Sequence, residues 1–151
     1  MTVDFDKLWE TLTAHFYLGD SSLHGPNHWR NVEFNALKIA RQNDADEMVV
    51  RLFAVFHDVE RRNEGNDPEH GKRAAALARQ LHGDLFAIDR SQLDRLCEAC
   101  ELHNHGFVSD DVTVGTCWDA DRLDLPRVGI RPDPAKMSTK EGRELARPKE
   151  S

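Results

Sequence analysis

The side chains best equipped for chemistry in this chain are histidines and aspartates, and two of them are adjacent. His57 and Asp58 close an apolar run in FAVFHDVERR, residues 53–62. Imidazole and carboxylate both ligate divalent metals. Neighbours on a helix differ by about 100° in direction, so one ion between those directions can take both side chains. Asp58 then keeps a second oxygen for a second ion. Residues three, four or seven apart share a helix face, and by that rule further ligand types extend apolar stripes. His28 stands one turn before Val32, Ala36 and Ile39, and His57 one turn past Phe53. His70 precedes Ala74, Leu77 and Leu81, His103 follows Leu96 and Cys100, and Asp121 follows Trp118.

One histidine on an apolar face is ordinarily a core residue with a satisfied hydrogen bond. Five helices that each bring a ligand type to the edge of the core ask for a common cause. Buried polar groups cost free energy unless paired, and a shared cation satisfies all of them together. Histidine with carboxylate and no thiolate favours a catalytic site with open coordination positions. Iron, manganese, zinc, cobalt and nickel suit such donors, as one ion or two.

Helices must position these residues, and nearly every segment carries helical periodicity with no alternating strand. The pattern predicts a first helix over 4–18 and a second from Pro26, which suits a first turn. Asp44 or Asp46 caps a third helix carrying MVVRLFAVFHDVE. A fourth runs over 68–81, a fifth opens at Asp89 or Ser91, and a sixth lies around TCWDADRLDL. STKEGRELA forms a short last helix with Ser138 and Glu141 placed for a capping box, and the end, RPKES, is expected to fray. The expected architecture is all-α, one helical bundle of about six main helices. Residues 1–130 form the domain, and 131–151 a partly irregular extension.

The 151 residues fit one core. A net charge of -7 argues against a nucleic-acid polymer as partner, because phosphate neutralisation needs surplus Lys and Arg. No run has the length of a membrane span, and the acidic start lacks a signal-peptide pattern, so the cytoplasm is the expected location. Three cysteines, Cys97, Cys100 and Cys117, do not make a disulfide framework, and Cys97 and Cys100 fit a buried stripe. The oligomeric state is left open, a homo-oligomer included.

Three pieces in order, HGPNHWRNV, FHDV and DADRLDL, resemble the HD-domain metal-dependent phosphohydrolases over about His24 to Leu125. The resemblance implies the HD helical bundle and hydrolysis of a phosphoester bond. It implies His28 as first ligand, His57 and Asp58 as the central pair, and Asp121 as the last, with Asp119 and Asp124 as its rivals. His70 in DPEHGKRAA and His103 in ELHNHG are similar to the further histidines of members that hold two metals, with Asp58 bridging. A basic residue beside the last aspartate contacts substrate in the family, which points to Arg122. Glu60 is a candidate general acid or base, and Arg61, Arg62, Lys72 and Arg73 are candidate cations for developing charge. His24 is a turn histidine or a phosphate contact, His105 lies at the surface or substrate rim, and His15 and His82 are structural or exposed. The implied substrate is a small phosphorylated metabolite such as a nucleotide, with Trp29, Trp118 and Phe107 as candidate stacking surfaces. A di-iron oxygenase of HD type and a non-catalytic binding module are the rival readings.

Overall fold

A computed structural model describes residues 3–148. Its α-helices are α1 (Phe5–His15), α2 (Pro26–Asn43), α3 (Glu47–Phe56), α4 (His70–Leu81), α5 (Arg90–Leu102), α6 (Val112–Arg122) and α7 (Lys140–Ala146). Two 3-10 turns, Leu125–Val128 and Pro134–Lys136, lie between α6 and α7. No strand occurs among the described residues, in keeping with the all-α expectation.

Local chemistry sets the helix starts. Asp4, Asp46 and Asp111 each accept hydrogen bonds from first-turn amides of α1, α3 and α6. Asp89 makes a capping box with Gln92 at the head of α5. Pro26 opens α2, where its missing N–H costs nothing. At the far end of α2, Asp44 adopts a left-handed conformation, φ 61°, and turns the chain into α3.

The centre of the bundle is α3. Val49, Val50 and every residue from Leu52 to Phe56 are buried, and only the edge carrying Glu47, Met48 and Arg51 reaches solvent. The α2, α5 and α6 helices pack around it, and Leu8 and Leu12 of α1 join the same core. The pairing of α4 with α5 is close because α4 presents Gly71, Ala74, Ala75 and Ala78. A Cβ on Gly71 would sit 2.5 Å from the Cys100 carbonyl oxygen, so glycine sets this approach. Cys97, Cys100 and Cys117 are free and buried, as the stripe reading expects.

Several boundaries differ from the sequence pattern. The first helix stops at His15, because Phe16 turns extended and packs edge-on against Trp29. The fourth starts at His70 and not at Pro68, since residues 67–69 form a turn pinned by the Arg73–Asp67 ion pair, 2.6 Å. The sixth begins at Val112, upstream of TCWDADRLDL. Its β-branched first turn is a weak helix former, but Asp111 caps it and Thr113 to Thr116 are buried. The last helix is capped by Thr139 and not by Ser138, and Glu141 accepts from Asn43 instead of closing a box. Asp119 accepts from the Ser138 and Thr139 amides and the Thr139 hydroxyl, clamping α7 onto α6. Of the end expected to fray, residues 149–151 lie outside the described residues. Among the described residues no helix is long and apolar enough to cross a membrane.

Candidate metal centre

Five helices deliver their ends to one buried place. His28 comes from the first turn of α2 and His70 from the first residue of α4. His57 and His103 are the C-caps of α3 and α5. Asp58 follows His57, and Asp121 is the penultimate residue of α6. All four histidines and Asp58 are buried, Asp58 at 3% exposure. The Asp121 side chain is 18% exposed, which marks the side on which the cluster meets solvent.

The donor atoms fall into two groups that share Asp58. In the first, His28 Nε2 lies 3.0 Å from His57 Nε2, 3.3 Å from Asp58 Oδ2 and 3.1 Å from Asp121 Oδ1. His57 Nε2 is 3.4 Å from each of those carboxylate oxygens. In the second, His70 Nε2 lies 2.9 Å from His103 Nε2, and they stand 3.0 and 3.3 Å from Asp58 Oδ1. Two donors held about 2.1 Å from one ion, about 90–110° apart, are themselves roughly 3.0–3.4 Å apart. Both groups match that spacing.

The protons argue the same way. His57 Nδ1 donates to the Phe53 and Ala54 carbonyls, closing the orphan end of its own helix. His103 Nδ1 donates to the Cys100 carbonyl at 2.6 Å, and His70 Nδ1 to the Asp67 carbonyl at 2.5 Å. His28 Nδ1 donates to Asp124 Oδ2 at 2.7 Å. Carbonyls and carboxylates only accept, so each Nδ1 holds the proton and each Nε2 of a neutral ring presents a lone pair. Four lone pairs and three carboxylate oxygens then face one another in a buried space, and cations are what such a set fits. Without one, burial would lower the His28 pKa, but the hydrogen bonds it donates to Asp121, Asp124 and Asp58 outweigh it and raise it to about 10. Burial pushes Asp58 and Asp121 up, yet His57 and the other facing imidazoles hold both well below the usual carboxylate range. Apolar packing fixes the rings: Phe53 stacks on His57 at 4.8 Å and meets the edge of His103 at 5.9 Å.

The profile of the HD domain matches residues 27–146 of this sequence. The chain belongs to the HD-domain family. No curated protein matches it. The bundle is similar to the crystal structure of a "predicted HD superfamily hydrolase" from an uncultured Thermotogales bacterium. That likeness has a TM-score of 0.77 and 24% identity, over 95% of this chain and 83% of the other.

In this HD domain the six residues expected as ligands, His28, His57, Asp58, His70, His103 and Asp121, stand together. Of the rivals to Asp121, Asp119 points into the α6–α7 contact. Asp124 takes a different part: it orients His28 and is held by Asn31 Nδ2 at 3.1 Å. Glu60 and Arg122 are not drawn into the cluster. The Glu60 carboxylate pairs with His15 Nε2 at 2.7 Å, and the Arg122 guanidinium donates to the Lys136 and Phe107 carbonyls. Arg73 is held by Asp67, while Arg62 and Lys72 are exposed. Arg61 stays close, its Nε 3.7 Å from Asp58 Oδ1. Trp29 and Trp118 are core residues that donate to the His24 and Ala99 carbonyls, so neither offers a stacking face. Phe107 is exposed and stacks on His105. His82 closes a turn through Ile88. Sequence reasoning missed Arg127, which reaches His24 and Leu23 from 103 and 104 residues away in the chain. No local pattern marks such a contact.

Proposed function

We propose that the protein is a divalent-metal-dependent phosphohydrolase that cleaves a phosphoester bond of a small phosphorylated metabolite, with nucleotides the first class to try. The observation that carries this reading is Asp58, whose two oxygens face two separate histidine pairs. Divalent ions bound there would supply a water of near-neutral pKa and a polarised phosphoryl oxygen. The chain's own residues do the rest. Asp58 ties the two halves at a fixed spacing. Asp124 holds the His28 ring in the tautomer that leaves Nε2 free, and backbone carbonyls do so for the other three histidines. The buried walls strengthen every charge interaction within. Asp121 lies on the solvent side, where a substrate approaches. The Thermotogales protein's printed description as a predicted hydrolase agrees with this reading.

The test is elemental analysis of protein purified without chelator, beside a panel of mononucleotides, dinucleotides and an aryl phosphate. Bound transition metal with phosphate release and no oxygen uptake supports the proposal. Oxygen consumption by the iron-loaded protein without phosphate release overturns it, as does a metal-loaded protein inert on the whole panel.

A further inference from the structure

Three segments from distant parts of the chain meet over the cluster. The 17–25 loop is tied to the 61–67 loop by Ser22 and Leu23 bonding the Glu64 carboxylate, and by His24 Nε2 donating to the Glu64 carbonyl at 3.1 Å. The 3-10 turn Leu125–Val128 joins them through Arg127, whose Nε donates to the Leu23 carbonyl at 2.8 Å. Two guanidiniums are thereby anchored on one edge and left with donors on the other. Arg61 Nη1 donates to the Asn63 and Gly65 carbonyls, while its Nε, fully buried, has no hydrogen-bond partner and sits 3.7 Å from Asp58 Oδ1. Arg127 Nη1 donates to the Asp124 carbonyl, and its Nη2 points to His24 Nδ1 at 3.4 Å. His24 Nδ1 in turn is 3.9 Å from Asp58 Oδ2. The enclosed Nε and the two Nη1 bonds fix the Arg61 guanidinium beside Asp58, and its Nη2, which bonds no protein group among the described residues, is the donor left for a ligand oxygen.

Resting on the phosphohydrolase reading, we propose that Arg61 and Arg127, with His24 between Arg127 and the cluster, form an oxyanion subsite for the terminal phosphoryl group of a phosphomonoester. Anchored guanidiniums pay little entropy to meet an oxyanion and hold it directionally. Charge favours a monoester over a diester. Asp58, Asp121 and Asp124 oppose the two guanidiniums, so two divalent ions leave the centre strongly positive. A dianionic terminal group offsets more of that charge than the single charge of a diester.

The test measures binding of inorganic phosphate to the manganese-loaded full chain by calorimetry, for wild type, Arg61→Gln and Arg127→Gln, with metal content checked in each. Arg79→Gln is the control, since Arg79 pairs loosely with Asp94 at the surface. Each Gln variant is expected to keep its metal and to weaken phosphate binding about 10- to 100-fold, the range of a lost charge-assisted bond. The control is expected to stay within about twofold. Arg61→Lys and Arg127→Lys keep the charge but lose the fork, and they carry the measurement should a Gln variant lose its helical circular dichroism. In kcat/KM, wild type should prefer an aryl phosphate over its methyl diester, and the variants should lose that preference. Unchanged phosphate affinity in both variants, or a wild type that prefers the diester, overturns the subsite. If wild type hydrolyses neither ester yet the variants lose phosphate affinity, the subsite stands and the hydrolase reading falls. If hydrolysis persists with phosphate binding untouched, the subsite alone falls.

Discussion

The two halves of the metal centre use the same chemistry with different support. The half built on His28, His57 and Asp121 has four donor side chains counting Asp58, and a second carboxylate, Asp124, behind His28. The half built on His70 and His103 has three donors counting Asp58, and both histidines lean on backbone carbonyls. More donors and a carboxylate partner raise affinity for a cation. A carbonyl orients a ring without adding charge. The first half should therefore hold its ion more tightly, and the second should be the one that empties first. The helix ends show the same contrast. In the first half the ligands come from α2, α3 and α6, each of which packs against the other two. In the second, both histidines depend on one α4–α5 contact made close by Gly71.

Breaking the shared residue should have the largest effect. Asp58→Ala removes a donor from both halves, and metal content should fall from two ions towards none with activity down at least about 1000-fold. The helical circular dichroism should survive; activity that also survives would sink the assignment. Next comes a pair of variants that separates the halves. His70→Ala should leave one ion per chain and His28→Ala should strip the tighter one, read by elemental analysis after mild chelation. Equal losses in the two would erase the asymmetry. Asp124→Asn is a smaller change, since the amide still accepts from His28 Nδ1 but carries no charge. It should weaken the first half alone, by about 10–100-fold in metal affinity.

The smallest effect is a pH dependence. In the metal-free protein the His28 pKa rises from 6.5 to about 10, because its carboxylate partners outweigh burial. A raised pKa stabilises the fold fully below the unfolded value, and that contribution is lost as pH rises through the folded value. Metal-free protein should thus lose stability between about pH 6.5 and 10, on the order of a few kcal/mol at most. Metal-loaded protein should be flat there, because the ion and not a proton occupies Nε2. Thermal melts of both forms across that range check the sign.

Most of the helical plan was legible because α3 is apolar but for Glu47 and Arg51, and α2 carries an amphipathic stripe ending in recognisable turns. The boundaries that moved, at Phe16, Pro68 and Val112, moved where tertiary packing overrode local propensity. That the six expected residues would meet was legible for a related reason. A polar residue one turn beyond an apolar stripe must reach the core's edge, whatever the packing angle. Glu60 and Arg122 show the limit of that reasoning. Being near a ligand in sequence did not bring them to the cluster, because their side chains found His15 and two loop carbonyls instead.

By itself, then, the sequence determined an all-α bundle and which side chains turn inward, since periodicity and capping act over a few residues. It also put Asp121 ahead of Asp119 and Asp124 as the residue that faces the cluster. Tertiary structure alone gave the two rivals their parts, sending Asp119 to α7 and Asp124 behind His28. It alone divided the oxygens of Asp58 between two histidine pairs, and it alone brought Arg127 to His24. Those outcomes depend on distances between helices that no local pattern encodes, because close packing fixes them only when every helix is in place.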